Sequence, residues 1–576
     1  MFYGSIFCKI SCIKIISSTN FIFKKYIRFT KKSKCNIYAK HIYLPQNFLF
    51  FLKVYIILRM KKEHKIKRNL KFFLWFKKIG VIKYIFLIYF IVILLISLLL
   101  YWPITHSTYL EQLRQSGKIR FNYFDAVFIA ASAFSNTGLS TFPISSYLNT
   151  FGQALIAISM LLGGLGIFTL KVYIFQTLFG IKLNIFNSEV TQVERGGQNP
   201  GQTKRIITVS ITFLLITLFI TSIVFILIFY LSPYGKFSDS KWAQTSNVLF
   251  NPYEKEFRNP KGNLDLSFRY GIFHAISAIT NSGFDIIGEK SLAPFNQEYA
   301  LQLFTLISIF IGGVGYPVIY DVYRKIKSLK ITEKNYKITL FTKLTLITYL
   351  IVSFFGLLFT FIFELINKNT NGFWKQESYG NNFSKTFAIF FQTFSTRSAG
   401  FTTIDYYHFT QQSVLVHSIL MFIGFSPAST AGGIRNITVS IIFLSVVSML
   451  LGKRSINVFK RQIGKETFIR AVTIFSIGII LITLSTLICY STFNLFDSET
   501  NKKYEMTHVL FVVCSAFGSC GFDVGLVPSI NNFGKIILIA LMVIGQLGIQ
   551  QTLLIWGKNR KRAEYYHYIY EDVVLG

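Results

Sequence analysis

Apolar residues along this chain gather into long blocks, and the charged residues sit between the blocks. The clearest block runs from Ile85 to Trp102, carries no charge and ends at Pro103. At ~1.5 Å per residue it reaches roughly 27 Å, close to the thickness of a bilayer's hydrocarbon core. Further blocks cover 153–179, 206–231, 299–319, 338–363, 412–424, 434–451, 468–490 and 535–556. A helix buried in a soluble core accounts for any one of them, but not for the set. The pattern predicts an all-α polytopic membrane protein.

Inside that pattern lies a repeat. Ser132 to Leu139, Ser277 to Phe284, Phe394 to Phe401 and Ser515 to Phe522 align without gaps. Each is small and mostly hydroxyl-bearing, reaches a glycine (Gly138, Gly283, Gly400, Gly521) and ends on a large apolar residue. A short amphipathic stretch precedes each copy, such as Phe124 to Ala131 or Phe383 to Phe391, with long apolar blocks on either side. A second glycine cluster follows at a matching offset, around Gly163, Gly312, Gly424 and Gly545. The predicted unit is helix, half-helix, glycine turn, helix, repeated four times with pseudo-symmetry around one central pore. In the third unit the last block breaks over 424–433, where Pro427 interrupts a run of small residues.

Charge then orients the units. Net charge is +35 over 576 residues, which in a soluble chain would suggest nucleic acid. Here the basic residues cluster at block ends: Lys61 to Lys71, Lys182 to Arg205, Arg324 to Lys337, Lys453 to Lys465 and Lys558 to Arg562. The positive-inside rule makes these cytoplasmic, and two crossings per unit bring each junction back to that side. No nucleic-acid partner is expected. The expected division is a basic cytoplasmic segment over 1–74, pore units over 75–181, 182–327, 328–453 and 454–557, and a cytoplasmic tail over 558–576. Met60 opens a lysine-rich run leading into the first helix, which predicts that translation starts near Met60. The six cysteines show no CxxC and no disulfide framework.

Non-helical backbone at membrane depth is tolerated inside protein or along a water-filled cavity. Four glycine turns meet that condition if they converge on an axis. Their carbonyl dipoles can then replace a cation's hydration shell, helped by the negative C-terminal ends of the half-helices. The candidate ion-binding residues are Asn136, Thr137, Gly138, Asn281, Ser282, Gly283, Ser398, Ala399, Gly400, Ser519, Cys520 and Gly521. Gly163, Gly312 and Gly545 are expected to let helices pack closely. The stretch Ser426, Pro427, Ala428, Ser429, Thr430, Ala431, Gly432 and Gly433 reads as an intramembrane loop able to obstruct the pore. Arg397, inside the third turn, is too costly to face lipid and is expected to hold an ion pair behind it. Asp285 and Asp523, two residues past their glycines, are either cation-attracting or plain loop carboxylates.

Over residues 75–557 the chain resembles the Trk/Ktr/HKT superfamily of potassium transporters, most of all the bacterial Ktr membrane subunit. The matching segments are Ser135 to Leu139, Asn281 to Phe284, Ser395 to Phe401 and Ser429 to Gly433. The resemblance implies plasma-membrane potassium uptake through a single-site filter, with four glycines signifying potassium preference. It makes the broken helix a gating loop. It also implies a homodimer with one pore per subunit and a cytoplasmic ring of nucleotide-binding regulatory subunits. K+ is then the transported ion and Na+ a candidate coupling ion, with no cofactor held by this chain. Similar proteins carry an arginine where this one has Gln546, and the loop has Phe425-Ser426-Pro427 in place of a glycine-rich run.

Two alternatives stand beside this reading. One is a sodium or non-selective monovalent cation transporter of the same architecture. The other is an alternating-access carrier, which would need inverted repeats and a midplane site; these repeats run in parallel. An enzyme would need clustered carboxylates, histidines or a nucleophile within the blocks, and the eight histidines are scattered. An arginine beneath the filter raises the barrier to cations. Gln546→Arg is therefore expected to slow maximal rubidium uptake in whole cells; an unchanged rate removes Gln546 from the gate.

Overall fold

The structure is a computed structural model. It describes residues 81–115, 121–179, 185–195, 200–232, 260–288, 291–330, 336–369, 372–453, 455–493, 495–497 and 502–556. The 1–74 segment, Met60, the 558–576 tail and most of the loop between Lys236 and Arg269 lie outside these residues.

Four runs of helices follow one another, each with the same order. The first comprises α1 (Val81–Tyr101), α2 (Tyr123–Phe134), α3 (Thr150–Leu165) and α4 (Ile167–Phe179), followed by a connecting helix α5 (Ile185–Arg195). The second has α6 (Pro200–Leu231), α7 (Leu264–Thr280), α8 (Tyr299–Gly313) and α9 (Tyr316–Lys330). The third has α10 (Leu340–Ile366), α11 (Asn382–Ser395), α12 (Gln411–Phe422) and α13 (Asn436–Leu450). The fourth has α14 (Lys465–Thr492), α15 (Met506–Gly518), α16 (Asn532–Leu547) and α17 (Ile549–Trp556). The named strands among the described residues are confined to two short hairpins of two-residue strands.

The helix starts have local causes. Asn149, Thr410 and Asn531 accept the N3 backbone N–H of α3, α12 and α16, satisfying groups a helix start leaves bare. Asn122 and Asp125 form a capping box on α2.

Sequence alone suggested continuous second helices broken only in the third unit, and the structure corrects this. Each unit breaks its second helix at or just past the second glycine cluster. The breaks at Gly166, Gly315 and Gly548 use φ of 86°, 89° and 90°, values glycine adopts freely. The first two turn the chain by 85° and 96°. Among the described residues, only the first helix of each unit, α1, α6, α10 and α14, is long and apolar enough to cross a membrane alone; the α3–α4 and α8–α9 pairs qualify only as bent spans.

Packing closes the units into a ring. Within each unit the first helix packs on the short central helix: α1 on α2, α6 on α7, α10 on α11, α14 on α15. Between units the second helix packs on the next unit's short helix: α3 on α7, α8 on α11, α12 on α15, and α16 back on α2. A polar clasp ties each of these four junctions near the helix starts. Arg269 donates to Gln153 at 2.6 and 3.0 Å, and the Tyr299 and Ser384 hydroxyls meet at 2.9 Å. The Gln411 amide donates to Glu505. At the closing junction the Lys535 ammonium donates to Asp125 at 2.6 Å, with both side chains about a tenth exposed or less.

Breaking a buried pair by removing one partner leaves an uncompensated charge and costs ~3–5 kcal/mol, whereas an apolar replacement of both is often neutral. Asp125→Ala is therefore expected to lower the thermal unfolding midpoint in detergent sharply. Asp125→Leu combined with Lys535→Met should recover most of that loss.

Candidate functional site: four glycine turns in a ring

The four glycine turns, far apart in sequence, meet in space. A Cβ placed on Gly138 would lie 2.1 Å from the Ser282 carbonyl oxygen, and one on Gly283 would lie 2.3 Å from the Gly400 nitrogen. On Gly400 it would lie 2.5 Å from the Cys520 oxygen, and on Gly521 2.2 Å from the Thr137 oxygen. Each near neighbour belongs to the next turn, and the fourth returns to the first, so the ring closes. The spacing excludes a side chain at every one of the four positions. Gly138, Gly283 and Gly521 also have φ of 91°, 75° and 86°. Gly400 does not, so there the neighbouring backbone alone excludes a side chain.

Local sequence builds three of the turns alike. Asn136, Asn281 and Ser519 take left-handed φ of 53°, 58° and 50°, a conformation short polar side chains tolerate. The next residues, Thr137, Ser282 and Cys520, then donate back to the carbonyls of Ser132, Ser277 and Ser515 at 2.8 to 2.9 Å. These bonds cap the orphan carbonyls of α2, α7 and α15. The third turn differs: Ser398 and Ala399 donate instead to the Ser395 carbonyl, and Ser398 stays out of the left-handed region. The Asn281 amide donates to the Ser398 hydroxyl at 2.8 Å, tying the second turn to the third. In its satisfied orientation the Asn136 amide donates to the Ala133 and Met160 carbonyls and accepts from Gly164 N–H. Leu139, Phe284, Phe401 and Phe522 are buried behind the ring. Phe401 lies 4.6 Å from the His274 ring and Phe522 lies 5.3 Å from Tyr406.

The second glycine clusters hold the ring from beneath. A Cβ on Gly163, Gly312 or Gly545 would lie 1.8 to 1.9 Å from the carbonyl oxygen of Phe134, Ile279 or Phe517. Those residues stand at the ends of their own units' short helices, so these glycines permit close packing, as the spacing implied.

The 424–433 segment runs across to the other units. Ala428 accepts from Tyr316 N–H at 3.2 Å, and Gly433 N–H donates to Phe517 at 3.1 Å. The Thr430 hydroxyl donates to the Gly312 carbonyl at 3.1 Å. Beneath the fourth turn, Gly432 leaves a Cβ only 2.4 Å from the Ser519 hydroxyl oxygen. The segment is therefore a loop wedged between units 2 and 4, not a kinked helix. Ser426, Pro427, Ser429 and Ala431 all lie within it; Ser429 donates to the Ser426 carbonyl at 2.7 Å and accepts from Ala431 N–H. Phe425 anchors its start by stacking on Tyr349 at 4.0 Å.

Arg397 corrects a second expectation. It is fully buried, but its hydrogen-bond partners are not carboxylates: the guanidinium donates to the carbonyls of Leu420, Ile423 and Gly424 at 2.8, 2.5 and 3.2 Å. The negative end of broken α12 serves as its counter-charge. Sequence reasoning missed Arg435 altogether. It follows the loop, and its guanidinium donates to the Ala431 carbonyl and to the Gln546 carbonyl, the latter at 3.2 Å. The Gln546 amide, in the orientation that satisfies its neighbours, donates to the Ser135 and Thr430 carbonyls at 3.2 and 3.1 Å. Position 546 is neutral, yet a guanidinium stands beside it.

Carboxylates near the site do structural work. Glu364 accepts from Thr410 N–H at 2.9 Å at the start of α12. Glu194 accepts from Thr169 N–H at 2.8 Å just past the Gly166 break. Beyond the ring, Asp523 accepts from the N–H groups of Val524, Leu526 and Val527, and Asp285 from Ile287. Burial against these loops pushes both carboxyls up, to about 6. Both are loop clamps first.

A helical membrane protein whose four half-helix turns meet in one closed ring has the form of a cation-transport protein. The profile of the TrkH cation transport proteins matches residues 115–564, and the chain belongs to that family. It is 32% identical over 561 residues to an uncharacterized cation transporter of Mycoplasma genitalium, covering 87% of this chain and 99% of the relative. It is 28% identical to Ktr system potassium uptake protein D of Bacillus subtilis, over 85% of this chain and 96% of that one. The fold matches the crystal structure of the potassium transporter TrkH from Vibrio parahaemolyticus, with a TM-score of 0.52, 18% identity and coverage of 77% and 80%. The chain is a multi-pass plasma-membrane cation transporter of the Trk/Ktr superfamily, and not an enzyme.

Because Gly400 needs no special φ, its replacement isolates the close approach of neighbouring backbones. Gly400→Ala is expected to cut cation uptake by roughly tenfold or more, the equivalent of ~1.4 kcal/mol at the barrier. The check is uptake normalised to membrane protein. Gly464→Ala, where φ is −68° and the nearest atom to an added Cβ lies 3.9 Å away, serves as the comparison.

Proposed function

We propose that this chain takes up potassium across the plasma membrane through one cation site inside the ring, gated by the 424–433 loop. The observation that carries the reading is the mutual contact of Gly138, Gly283, Gly400 and Gly521 around a closed circle. A monovalent cation stripped of water needs several oxygen dipoles and no buried counter-ion. The twelve candidate ring residues are all neutral, and Arg397, the cation within the third turn segment, spends its charge on the carbonyls ending α12. The short helices α2, α7, α11 and α15 each end at a turn, which sets their negative ends beside the ion. Glycine at all four positions fits potassium rather than sodium, by the resemblance to the superfamily.

The gate reading rests on the loop's contacts with units 2 and 4 directly beneath the turns. The four-unit division, 75–181, 182–327, 328–453 and 454–557, belongs to the same proposal. So do a homodimer with one pore per subunit, a cytoplasmic nucleotide-binding regulatory ring, and Na+ as a candidate coupling ion. These follow from the superfamily resemblance and from relatives named as Ktr system potassium uptake proteins.

The test is rubidium uptake in cells deficient in potassium transport, at varied sodium. The wild-type chain should restore uptake and favour rubidium over sodium. Gly400→Ser should lower rubidium uptake and narrow that preference. Unchanged uptake and preference in Gly400→Ser would exclude the ring as the selecting site.

A further inference from the structure

Two arginines bracket the intramembrane loop, and their settings differ. Arg397 enters from the third turn, is fully buried, and binds three carbonyls where α12 ends. Its guanidinium also lies 5.5 Å from the centre of the Tyr349 ring, which stacks on Phe425. Releasing it would strand a guanidinium where no water reaches, so the loop's beginning is fixed to the ring. Arg435 stands at the other end and is only half-buried. Its bonds to Ala431 and Gln546 carbonyls join the end of the loop to the fourth unit. Gln546 completes the join by donating to Thr430 of the loop and to Ser135 below the first turn.

We propose that Arg435 is the latch of the gate and Arg397 its hinge. The proposal rests on reading this loop as the gate. With the latch made, the loop is tied to unit 4 and a guanidinium stands below the cation site, so the obstruction is both steric and electrostatic. With it broken, the loop pivots about the end of α12 while Arg397 keeps its three carbonyls. These bonds, with a longer one to the Gly432 carbonyl at 3.5 Å, run from a charged donor to neutral carbonyls, and such bonds are stronger than neutral ones. Their partly exposed setting lets water replace them, which the Arg397 setting does not. Arg435 is thus a positioning residue: it acts on the ion's path through the loop, not on the ring.

The test is rubidium uptake per membrane-inserted protein, with rubidium-over-sodium preference measured on the same cells. Removing one charge-assisted latch should shift the closed-to-open balance by roughly tenfold. Arg435→Gln should therefore raise uptake by a factor of that order and leave the preference unchanged. Arg435→Lys keeps the charge but loses the fork and should give a smaller rise. A gain of flux separates a latch from a merely structural arginine, whose loss lowers flux. Uptake that stays level or falls in Arg435→Lys, with protein present and preference intact, overturns the latch. Should Arg435→Gln fail to accumulate, the Arg435→Lys measurement decides alone. A wild-type chain that carries no rubidium would count against the cation site itself, an outcome distinct from a wild-type chain that conducts and an Arg435 variant that does not leak.

Discussion

Backbone N–H and C=O groups freed within a bilayer have no water to turn to, so each must find a partner in the protein or face a cavity. Breaks in the second helices and turns after the short helices free such groups in every unit. The turns find partners within their own units, and the helix breaks draw several from other units. The Tyr316 hydroxyl takes the Leu165 carbonyl at the end of α3, and Ala428 takes the Tyr316 N–H at the start of α9. Within the third unit Arg397 takes the end of α12, and across to the fourth Arg435 takes the carbonyl of Gln546 near the end of α16. The units are interlocked by the very groups that helix breaking exposes.

The ring follows from the same constraint carried to its limit. Where the four turns meet, side chains are excluded by backbone from the next unit, and the surrounding apolar residues keep water away. What remains at the centre is backbone, which is the material of a dehydrating cation site. The closing Lys535–Asp125 pair and its three counterparts hold the short helices in place near their starts. The second glycine clusters hold them at their ends. The site is thus braced at both ends of each short helix.

Much of this was legible in the residues because the information recurs. Four glycines in matching surroundings, each with a second cluster behind it, state the unit without any structure, and convergence on one axis was the condition they set. The breaks at Gly166, Gly315 and Gly548 were missed, because Leu, Val and Ile flank them and the apolar pattern runs on unbroken. Pro427 announced its break, and Pro317, two residues past Gly315, was a signal left unread. Arg397 was expected to need a carboxylate, but helix-end carbonyls supply negative potential without any acidic residue. Arg435 went unnoticed because its meaning depends on Gln546, which lies in another unit. Glu364 likewise finds Thr410 only through packing.

The central claim is that the four turns enclose one monovalent cation. Anomalous scattering from crystals of the protein soaked in thallium or rubidium tests it most directly. The account expects a single strong peak on the axis between Gly138, Gly283, Gly400 and Gly521. Ordered ions bound elsewhere along the path, with none between those glycines, would contradict it.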